Sequence, residues 1–252
     1  MESMNAVEIQ HLSFRYPNGT EALRAISCSV AEGSCVGLIG PNGAGKSTLL
    51  LHLNGILPET LGKESYVRIF GEPVGRHNLD TIRRTVGLLF QNPDDQLFCP
   101  TVFEDIAFGP QQFGLSARAV NTKVQDTLKR VGLCGFEQKS PHHLSQGEKR
   151  RICLASVLAC EPRILVLDEP TSDLDPRSRR EFKILLRQIT ATKIIASHDL
   201  DMIAELCDHV LVLDGGTIVA EGQTIKLLND EALMLAHGLE RPHSLRHLHP
   251  HG

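Results

Sequence analysis

The segment that most constrains this chain is a glycine-rich string between an apolar run at 35–39 and a helix-prone run that begins at Leu49. Its three glycines can adopt positive φ and carry no Cβ, so successive backbone N–H groups can surround a phosphate. The members of the string are Gly40, Pro41, Asn42, Gly43, Ala44, Gly45, Lys46, Ser47 and Thr48. Strand, glycine-rich turn and helix in this order predict a phosphate-binding loop for a nucleoside triphosphate.

The residues at the end of this loop have expected roles towards the phosphates. The helix that follows directs its N-terminal N–H groups and the positive end of its dipole towards a bound phosphate. Lys46 is expected to reach the β- and γ-phosphates, and the Ser47 hydroxyl is expected to ligate Mg²⁺. A purely structural glycine turn is the alternative, and the strand and helix on either side disfavour it.

Composition excludes several other classes of protein. The chain has 252 residues, of which 41% are hydrophobic and 22% charged, as in ordinary globular proteins. A net charge of −4 disfavours nucleic acid as a partner. Apolar runs are too short for a membrane span and the N-terminus lacks a secretory pattern, so we expect a cytoplasmic chain. Seven scattered cysteines without a Cys-x-x-Cys pair favour reduced thiols.

An apolar run at 163–169 ends in two carboxylates, Asp168 and Glu169. Such a run suits the buried centre of a parallel sheet, where ligands lie beyond the carboxyl ends of the strands. One carboxylate can hold the Mg²⁺ shell while its neighbour addresses a water molecule. A hydrated surface pair is the alternative, although such a pair does not need a buried strand before it.

Three other polar side chains lie at predicted strand ends. Gln91 follows the strand predicted at 86–90, at a position where loops often carry ligand-binding groups. His198 follows the apolar strand at 193–196, and a structural hydrogen bond is the alternative to a ligand contact. Tyr16 closes the first strand and is expected either to stack on a nucleotide base or to cover the core as a rim aromatic.

The remaining sequence predicts an α/β fold. The predicted strands are 7–16, 25–30, 66–70, 86–90, 163–169, 193–196, 210–213 and 217–220. Between about 101 and 160 the pattern becomes helical, and one helix has an apolar stripe at Val120, Val124, Leu128 and Val131. A further helix is expected to start at Pro176 with Asp175 as its N-cap.

Together these motifs resemble those of the nucleotide-binding subunit of an ATP-binding-cassette (ABC) transporter, over roughly residues 7–230. They occur in the order that the family shows: the A-loop Tyr16, Walker A at 40–48, the Q-loop Gln91, the signature at 144–148, Walker B at 164–168 with Glu169, the D-loop at 172–175 and the H-loop His198. The resemblance implies a P-loop ABC-type nucleotide-binding domain with a mixed sheet core and an inserted helical subdomain.

The resemblance also implies how these residues act on ATP and Mg²⁺. Two copies are expected to form a head-to-tail homodimer that buries two ATP molecules, each held by one copy's phosphate loop and the other copy's signature helix. Glu169 is expected to orient or deprotonate the attacking water, and His198 to contact the γ-phosphate. The implied magnesium ligands are Ser47, Gln91 and Asp168.

The signature begins at Leu144, and Ser145 and Glu148 have the spacing of a capping box. A helix N-terminus at Ser145, with Gly147 allowing close approach of the backbone, is an expected site for the partner's γ-phosphate. A well-capped helix without further role is the alternative. The family usually has Leu-Ser-Gly-Gly-Gln here, whereas this chain has Gln146 and Glu148. Because a carboxylate is unfavourable near a phosphate, Glu148 is expected to cap its own helix.

Two strings, at 14–20 and 91–98, are similar to those of energy-coupling-factor importers, especially the cobalt and nickel ATPase group of the CbiO/NikO type. The resemblance implies an ATP-hydrolysing subunit at the cytoplasmic face of the membrane. It would energise uptake of cobalt or nickel through separate integral membrane subunits, without nucleic acid. A vitamin importer of the same type and a soluble ABC protein acting in translation or DNA repair are the alternatives.

A surface for the membrane partner is also expected near the Q-loop. Four carboxylates there are expected to form an acidic patch that receives a basic coupling helix of the partner. They are Asp94, Asp95, Glu104 and Asp105.

These patterns divide the chain into an ATPase domain at 1–235 and a tail at 236–252. The domain has a core at about 1–91 and 161–235 and a helical subdomain at about 92–160. The tail contains His243, His247, His249 and His251. Such a tract can bind a divalent transition metal, and a terminus without a role is the alternative.

Overall fold

The computed structural model describes residues 4–58 and 65–246. The chain divides into two compact units: the first combines Met1–Arg83 with Thr192–Gly252, and the second is Arg84–Ala191. Among the described residues, the first unit holds most of the strands and the second holds the longest helices. The division predicted from sequence, with a helical subdomain at about 92–160, remains a prediction.

The elements are ten strands and ten α-helices within the described residues, in groups of one to three of the same kind along the chain. The strands are β1 (Asn5–Arg15), β2 (Glu21–Ala31), β3 (Cys35–Ile39), β4 (Val67–Ile69), β5 (Glu72–Pro73), β6 (Val86–Leu89), β7 (Ile164–Asp168), β8 (Thr192–Ala196), β9 (His209–Asp214) and β10 (Thr217–Gln223). The helices are α1 (Lys46–Leu53), α2 (Leu79–Thr85), α3 (Val102–Gln112), α4 (Ala117–Arg130), α5 (Gln146–Leu158), α6 (Pro176–Gln188), α7 (Leu200–Leu206), α8 (Thr224–Leu228), α9 (Glu231–Ala236) and α10 (His243–Arg246).

The first unit contains an antiparallel arrangement of strands and a largely parallel one. The antiparallel strands have the order β2-β1-β4-β5. In the other group, β8 and β9 both run parallel to β3, and β10 runs antiparallel to β9. Every residue of β3 is buried, because this apolar strand lies between two neighbours. The buried strand β3 is therefore followed directly by the glycine-rich loop, which begins at Gly40.

The second unit contains two parallel strands and the longest of the described helices. β6 and β7 run side by side, with Leu89 opposite Leu167. Helices α3, α4 and α5 come between these strands in the chain. The apolar stripe predicted for α4 is confirmed, since all four of its residues are buried. These residues are Val120, Val124, Leu128 and Val131.

The mixed α/β fold predicted from the sequence is confirmed, and the predicted strands differ from the observed ones mainly at their ends. The second strand shows the largest difference: it was expected at 25–30 and runs over Glu21–Ala31. A bulge explains part of this, because Ala25 has a φ of +46° and interrupts the alternation of side chains. The N-cap prediction at Asp175 is confirmed, since its carboxylate accepts the backbone N–H groups of Arg177 and Ser178.

All seven cysteines are free thiols, in agreement with the sequence analysis. Within residues 4–58 and 65–246, no helix is both long enough and apolar enough to cross a bilayer.

Candidate functional site

The glycine-rich loop of the first unit connects the end of β3 to α1 as predicted. Gly40 has a φ of +152°, and a Cβ there would lie 1.9 Å from the backbone oxygen of Leu213. Gly45, the N-cap of α1, has a φ of +104°, and its Cβ would lie 2.5 Å from the backbone oxygen of Ala22. Neither position accepts a side chain, so the loop keeps a backbone shape that requires glycine at both positions.

Lys46 lies folded back over this loop. Its Nζ donates to the backbone oxygens of Gly40 at 2.8 Å and Pro41 at 3.1 Å, and its side chain is buried. Ser47, next in the helix, is exposed. The ammonium group therefore lies at the loop, and Ser47 beside it is exposed to solvent.

Tyr16 lies beside the phosphate-loop helix. Its hydroxyl is 3.0 Å from the Thr48 hydroxyl, so the structure brings these two predicted site residues together. The half-buried ring packs edge-on against Phe14, with centroids 4.9 Å apart. Phe14 in turn packs against buried His52, whose Nδ1 donates to the Thr48 carbonyl at 2.7 Å. Burial lowers the pKa of His52, which keeps this ring neutral.

His198 follows β8, and β8 is the parallel neighbour of β3. His198 and the glycine-rich loop therefore leave the same edge of the same group of strands. The His198 side chain is exposed, whereas Ser197 before it is buried. Asp199 after it caps α7 by accepting the N–H of Met202. The neighbours of His198 therefore anchor the backbone on both sides of this exposed residue.

In the second unit, Asp168 is the last residue of β7 and Glu169 follows it. Both carboxylates are buried, with 8% and 6% exposure, so the alternative of a hydrated surface pair is wrong. Glu169 has a left-handed backbone with a φ of +43°. Such a conformation costs about 1 to 3 kcal/mol for a residue with a side chain, and it occurs mainly at functional sites.

Gln91 follows β6 and therefore lies at the same edge of the strand pair as Asp168. Its side chain is exposed. Asn92, the next residue, has an extended backbone before a 3₁₀ turn at Pro93–Asp95, as the proline predicts. The second unit thus brings together Gln91, Asp168 and Glu169 at the carboxyl ends of two parallel strands.

The signature segment forms the predicted capping box at the start of α5. Ser145 Oγ accepts the N–H of Glu148, while Glu148 Oε2 accepts the N–H of Ser145 at 2.8 Å and its hydroxyl at 2.7 Å. The expectation that Glu148 caps its own helix is confirmed. Gly147 is buried, and a Cβ there would lie 2.7 Å from Ser178 Oγ of α6. Close packing on α6 is therefore a second reason for glycine at this position.

The predicted acidic patch is wrong at one of its four members. Asp105 is 5% exposed and accepts the N–H groups of Phe98 and Cys99, each at 3.0 Å. The carboxyl group of Asp105 therefore belongs to the interior, and this burial raises its pKa. Asp94 is exposed but paired, because Lys149 Nζ lies 2.7 Å from its carboxylate.

The sequence analysis missed Arg150. Arg150 belongs to the basic run 149–151, and such a run is typical of a helix face that is exposed to solvent. Arg150 is nevertheless 2% exposed. Helical spacing could have found it, because Arg150 lies three positions after buried Gly147 and four before buried Leu154.

The structure describes the predicted tail up to residue 246. Of the four histidines at 241–252, only His243 falls within the described residues, in α10. The next residue is anchored, since the Ser244 hydroxyl donates to Asp201 of α7 at 2.6 Å. Among residues 4–58 and 65–246, no cluster of three or more potential metal ligands is found. Metal binding by the tail stays a prediction.

Comparison with known proteins agrees with these motifs. The family model of the ABC transporter matches residues 23–172. A protein of Geobacter sulfurreducens with the provisional name ABC transporter ATP-binding protein is 51% identical to this chain, and the match covers 97% of each chain. The energy-coupling factor transporter ATP-binding protein EcfA of Methanothermobacter thermautotrophicus is 46% identical over 94% of this chain and 76% of its own length.

The fold is similar to a solved structure, cbiO1 from Clostridium perfringens, which is described as part of the ABC transporter complex cbiONQ. The match has a TM-score of 0.79 and 33% sequence identity, and it covers 93% of this chain and 94% of the other.

Proposed function

Because this chain belongs to the ABC transporter family of ATPases, we propose that it hydrolyses ATP to energise uptake of cobalt or nickel through separate membrane subunits. It is the ATP-binding subunit of a transporter of the ABC or energy-coupling-factor type. The metal substrate is the part that we propose. The observation that carries this proposal is the similarity to cbiO1 over almost the whole chain. The strings at 14–20 and 91–98 agree with it.

In the first unit we propose that the glycine-rich loop holds the phosphates of ATP and that Tyr16 stacks on the base. The loop is suited to this role because a side chain at Gly40 or Gly45 would collide with backbone. Lys46 already lies at the loop and would exchange its two carbonyl partners for phosphate oxygens. His198, exposed at the same strand edge, would contact the γ-phosphate.

We further propose that Ser47, Gln91 and Asp168 supply oxygen ligands to Mg²⁺. A hydroxyl, an amide and a carboxylate fit this ion, which prefers oxygen donors. When bound, Mg²⁺ would neutralise charge on the phosphates. Glu169 would orient or deprotonate the attacking water. Its position supports this role, because Glu169 is buried and follows the last residue of β7, directly beside Asp168.

A head-to-tail homodimer would place Ser145 and Gly147 of one copy at the γ-phosphate held by the other. We propose that this dimer docks, as a peripheral protein, on membrane chains at the cytoplasmic face. Asp95 and Glu104 are the two exposed carboxylates of the predicted patch whose side chains form no ion pair in the described structure. They are therefore the preferred contacts for a basic coupling helix.

The proposal is tested by purifying the complex through a tag on this chain and reconstituting it in liposomes. We expect integral membrane chains to co-purify and ATP-dependent uptake of radioactive Co²⁺ or Ni²⁺ to follow. A complex that takes up a vitamin instead would contradict the metal assignment. The absence of any membrane chain would contradict the transport role.

The Glu169→Gln variant is the control for coupling of uptake to hydrolysis. It should bind ATP as the wild type does, lose at least about 100-fold in turnover, and accumulate as an ATP-bound dimer. The double variant Asp95→Lys with Glu104→Lys should reduce co-purification of the membrane chains. Hydrolysis at the wild-type rate in Glu169→Gln would refute its proposed role.

A further inference from the structure

The buried side chain of Arg150 joins three separate segments of the second unit. Its Nη1 donates to the backbone oxygen of Phe90 at 2.8 Å. Its Nη2 donates to the backbone oxygen of Gln91 at 2.7 Å and to the Ser172 hydroxyl oxygen at 3.2 Å. The guanidinium group thus connects α5, the segment after β6 and the turn that follows Glu169.

These contacts matter because a buried charge is costly unless its donors are used. Burial lowers the pKa of Arg150, while the negative charges of Asp173, Asp168 and Glu169 act in the opposite direction. Apolar side chains would fill this helix face at less cost, as Cys153 and Leu154 do beside it. An arginine at this position therefore points to a role for its hydrogen bonds beyond packing.

The contact with Ser172 extends to Glu169. Ser172 donates both its hydroxyl, at 2.9 Å, and its backbone N–H, at 3.2 Å, to the Glu169 carbonyl oxygen. Glu169 has its left-handed backbone at this position, and so does Asp173, with a φ of +59°. A strained backbone persists only where its surroundings hold it. The hydrogen bonds that lead from Arg150 through Ser172 to Glu169 supply such a constraint.

We propose that Arg150 is a positioning residue of the ATPase: its guanidinium group fixes the main chain at Gln91 and, through Ser172, at Glu169. This inference rests on the proposed roles of Gln91 and Glu169. It also gives the signature helix a direct connection to both segments, so that displacement of α5 would displace them as well. Lysine cannot replace arginine here, because one ammonium group cannot match the planar fork that reaches two carbonyls and a hydroxyl.

The test compares Arg150→Lys and Arg150→Gln with wild type in the complex purified through a tag on this chain. For each we measure kcat and KM for ATP, the dissociation constant of a fluorescent ATP analogue, and the thermal midpoint. We expect kcat to fall about tenfold or more, equivalent to about 1.4 kcal/mol of barrier. The dissociation constant should change by less than about twofold, because the glycine-rich loop of the first unit is unaltered.

Arg130→Gln is the matched control, since Arg130 is exposed at the end of α4. It should leave kcat, affinity and thermal midpoint unchanged. A merely structural role of Arg150 would lower the thermal midpoint and the active fraction, yet the folded enzyme would keep its kcat. Arg150→Lys with kcat within about twofold of wild type would overturn the inference.

Ser172→Ala removes the hydroxyl that links Arg150 to Glu169 and keeps the buried charge of Arg150. We expect kcat to fall about threefold with unchanged ATP affinity, and little further loss when Ser172→Ala is added to Arg150→Lys. Multiplicative losses in the double variant would show independent roles and overturn the proposal. If Arg150→Lys fails to fold, wild-type kcat in Ser172→Ala overturns it as well. Failure of the proposed function is separate: it would show as normal hydrolysis in Glu169→Gln.

Discussion

The N-termini of α1 and α5 are both proposed phosphate sites, but they are built differently. Gly45 precedes α1 in a left-handed conformation and has no side chain that could accept from the first N–H groups of the helix. Ser145 precedes α5 and forms a complete capping box with Glu148, so that part of this helix end is already satisfied. The first turn of α1 has no acidic residue, whereas that of α5 contains Glu148.

This difference indicates two kinds of phosphate contact. At α1 no cap side chain competes for the backbone donors, which would suit the proposed tight binding of ATP to a single copy. At α5 a phosphate would have to compete with the Ser145 hydroxyl and approach the Glu148 carboxylate, which would weaken the proposed contact. A weak contact at α5 would suit the proposed dimer, because the two copies could then separate again.

The largest effect is expected from Gly45→Ala. An alanine there would need a φ of +104° and would place its Cβ 2.5 Å from the backbone oxygen of Ala22, so the loop must change shape. We expect affinity for a fluorescent ATP analogue to fall by about 100-fold or more, equivalent to about 2.7 kcal/mol. Titration of the purified chain measures this effect, with the thermal midpoint recorded in parallel.

Gly147→Ala is the counterpart at α5 and makes the comparison strict. A Cβ at Gly147 would lie 2.7 Å from Ser178 Oγ, a contact almost as close as the one at Gly45. Gly147, however, lies within α5, where alanine is a good helix former. Affinity for the nucleotide should therefore stay within about threefold of wild type. An equal loss of ATP binding in both variants would show that the two helix ends are not distinct.

Lys46→Ala removes the cation that lies at the α1 site. Its bonds to Gly40 and Pro41 show that the ammonium group is held at the loop, and charge-assisted bonds to phosphate are the strong kind. We expect ATP affinity to fall by about 10- to 100-fold, measured with the same analogue. Lys226→Ala, at an exposed position of α8, serves as control. Undiminished affinity in Lys46→Ala would refute the phosphate loop.

The sequence predicted the elements whose patterns are local. The loop at 40–48, the α4 stripe and the α5 cap each depend on residues within a few positions of one another, and all three appear in the structure. The fold class followed, because apolar strands with polar ends are typical of parallel sheets.

Features that depend on how side chains pack in the fold were missed or predicted wrongly. Asp105 resembles an exposed helix residue in sequence, but its carboxylate turns inward to cap the backbone at Phe98 and Cys99. Arg150 is separated by about sixty positions from Gln91, so local composition could not show their contact. Gly147 faces Ser178 of α6, a neighbour that only the fold provides.

Glu148→Ala tests the α5 cap through the pH dependence of stability. Hydrogen bonds from the Ser145 hydroxyl and N–H lower the pKa of Glu148 below its ordinary value of 4.5. A carboxyl group whose pKa is lowered on folding stabilises the protein fully above its unfolded-state pKa, and this contribution is lost as pH falls through the folded-state pKa.

We therefore expect Glu148→Ala to lower the free energy of unfolding by about 1 kcal/mol at pH 7. The difference from wild type should shrink as the pH is lowered below 4.5. Urea titrations across this range measure both values. Asp126→Ala, at an exposed position of α4, should show neither effect. A difference that stays constant with pH would mean that the Glu148 charge does not contribute to the cap.

The smallest effect is expected from Glu148→Gln, and it separates the cap from the charge. Glutamine can still accept from Ser145 in a capping box, but it removes the carboxylate from the first turn of α5. If a phosphate of the partner's ATP approaches this turn, ATP-dependent dimerisation should tighten by about two- to fivefold. Sedimentation in the Glu169→Gln background measures the change, and added salt should diminish it because the effect is electrostatic. Weaker dimerisation in Glu148→Gln would indicate that the carboxylate supports the closed dimer, and α5 would then bind its partner by a different contact from the one at α1.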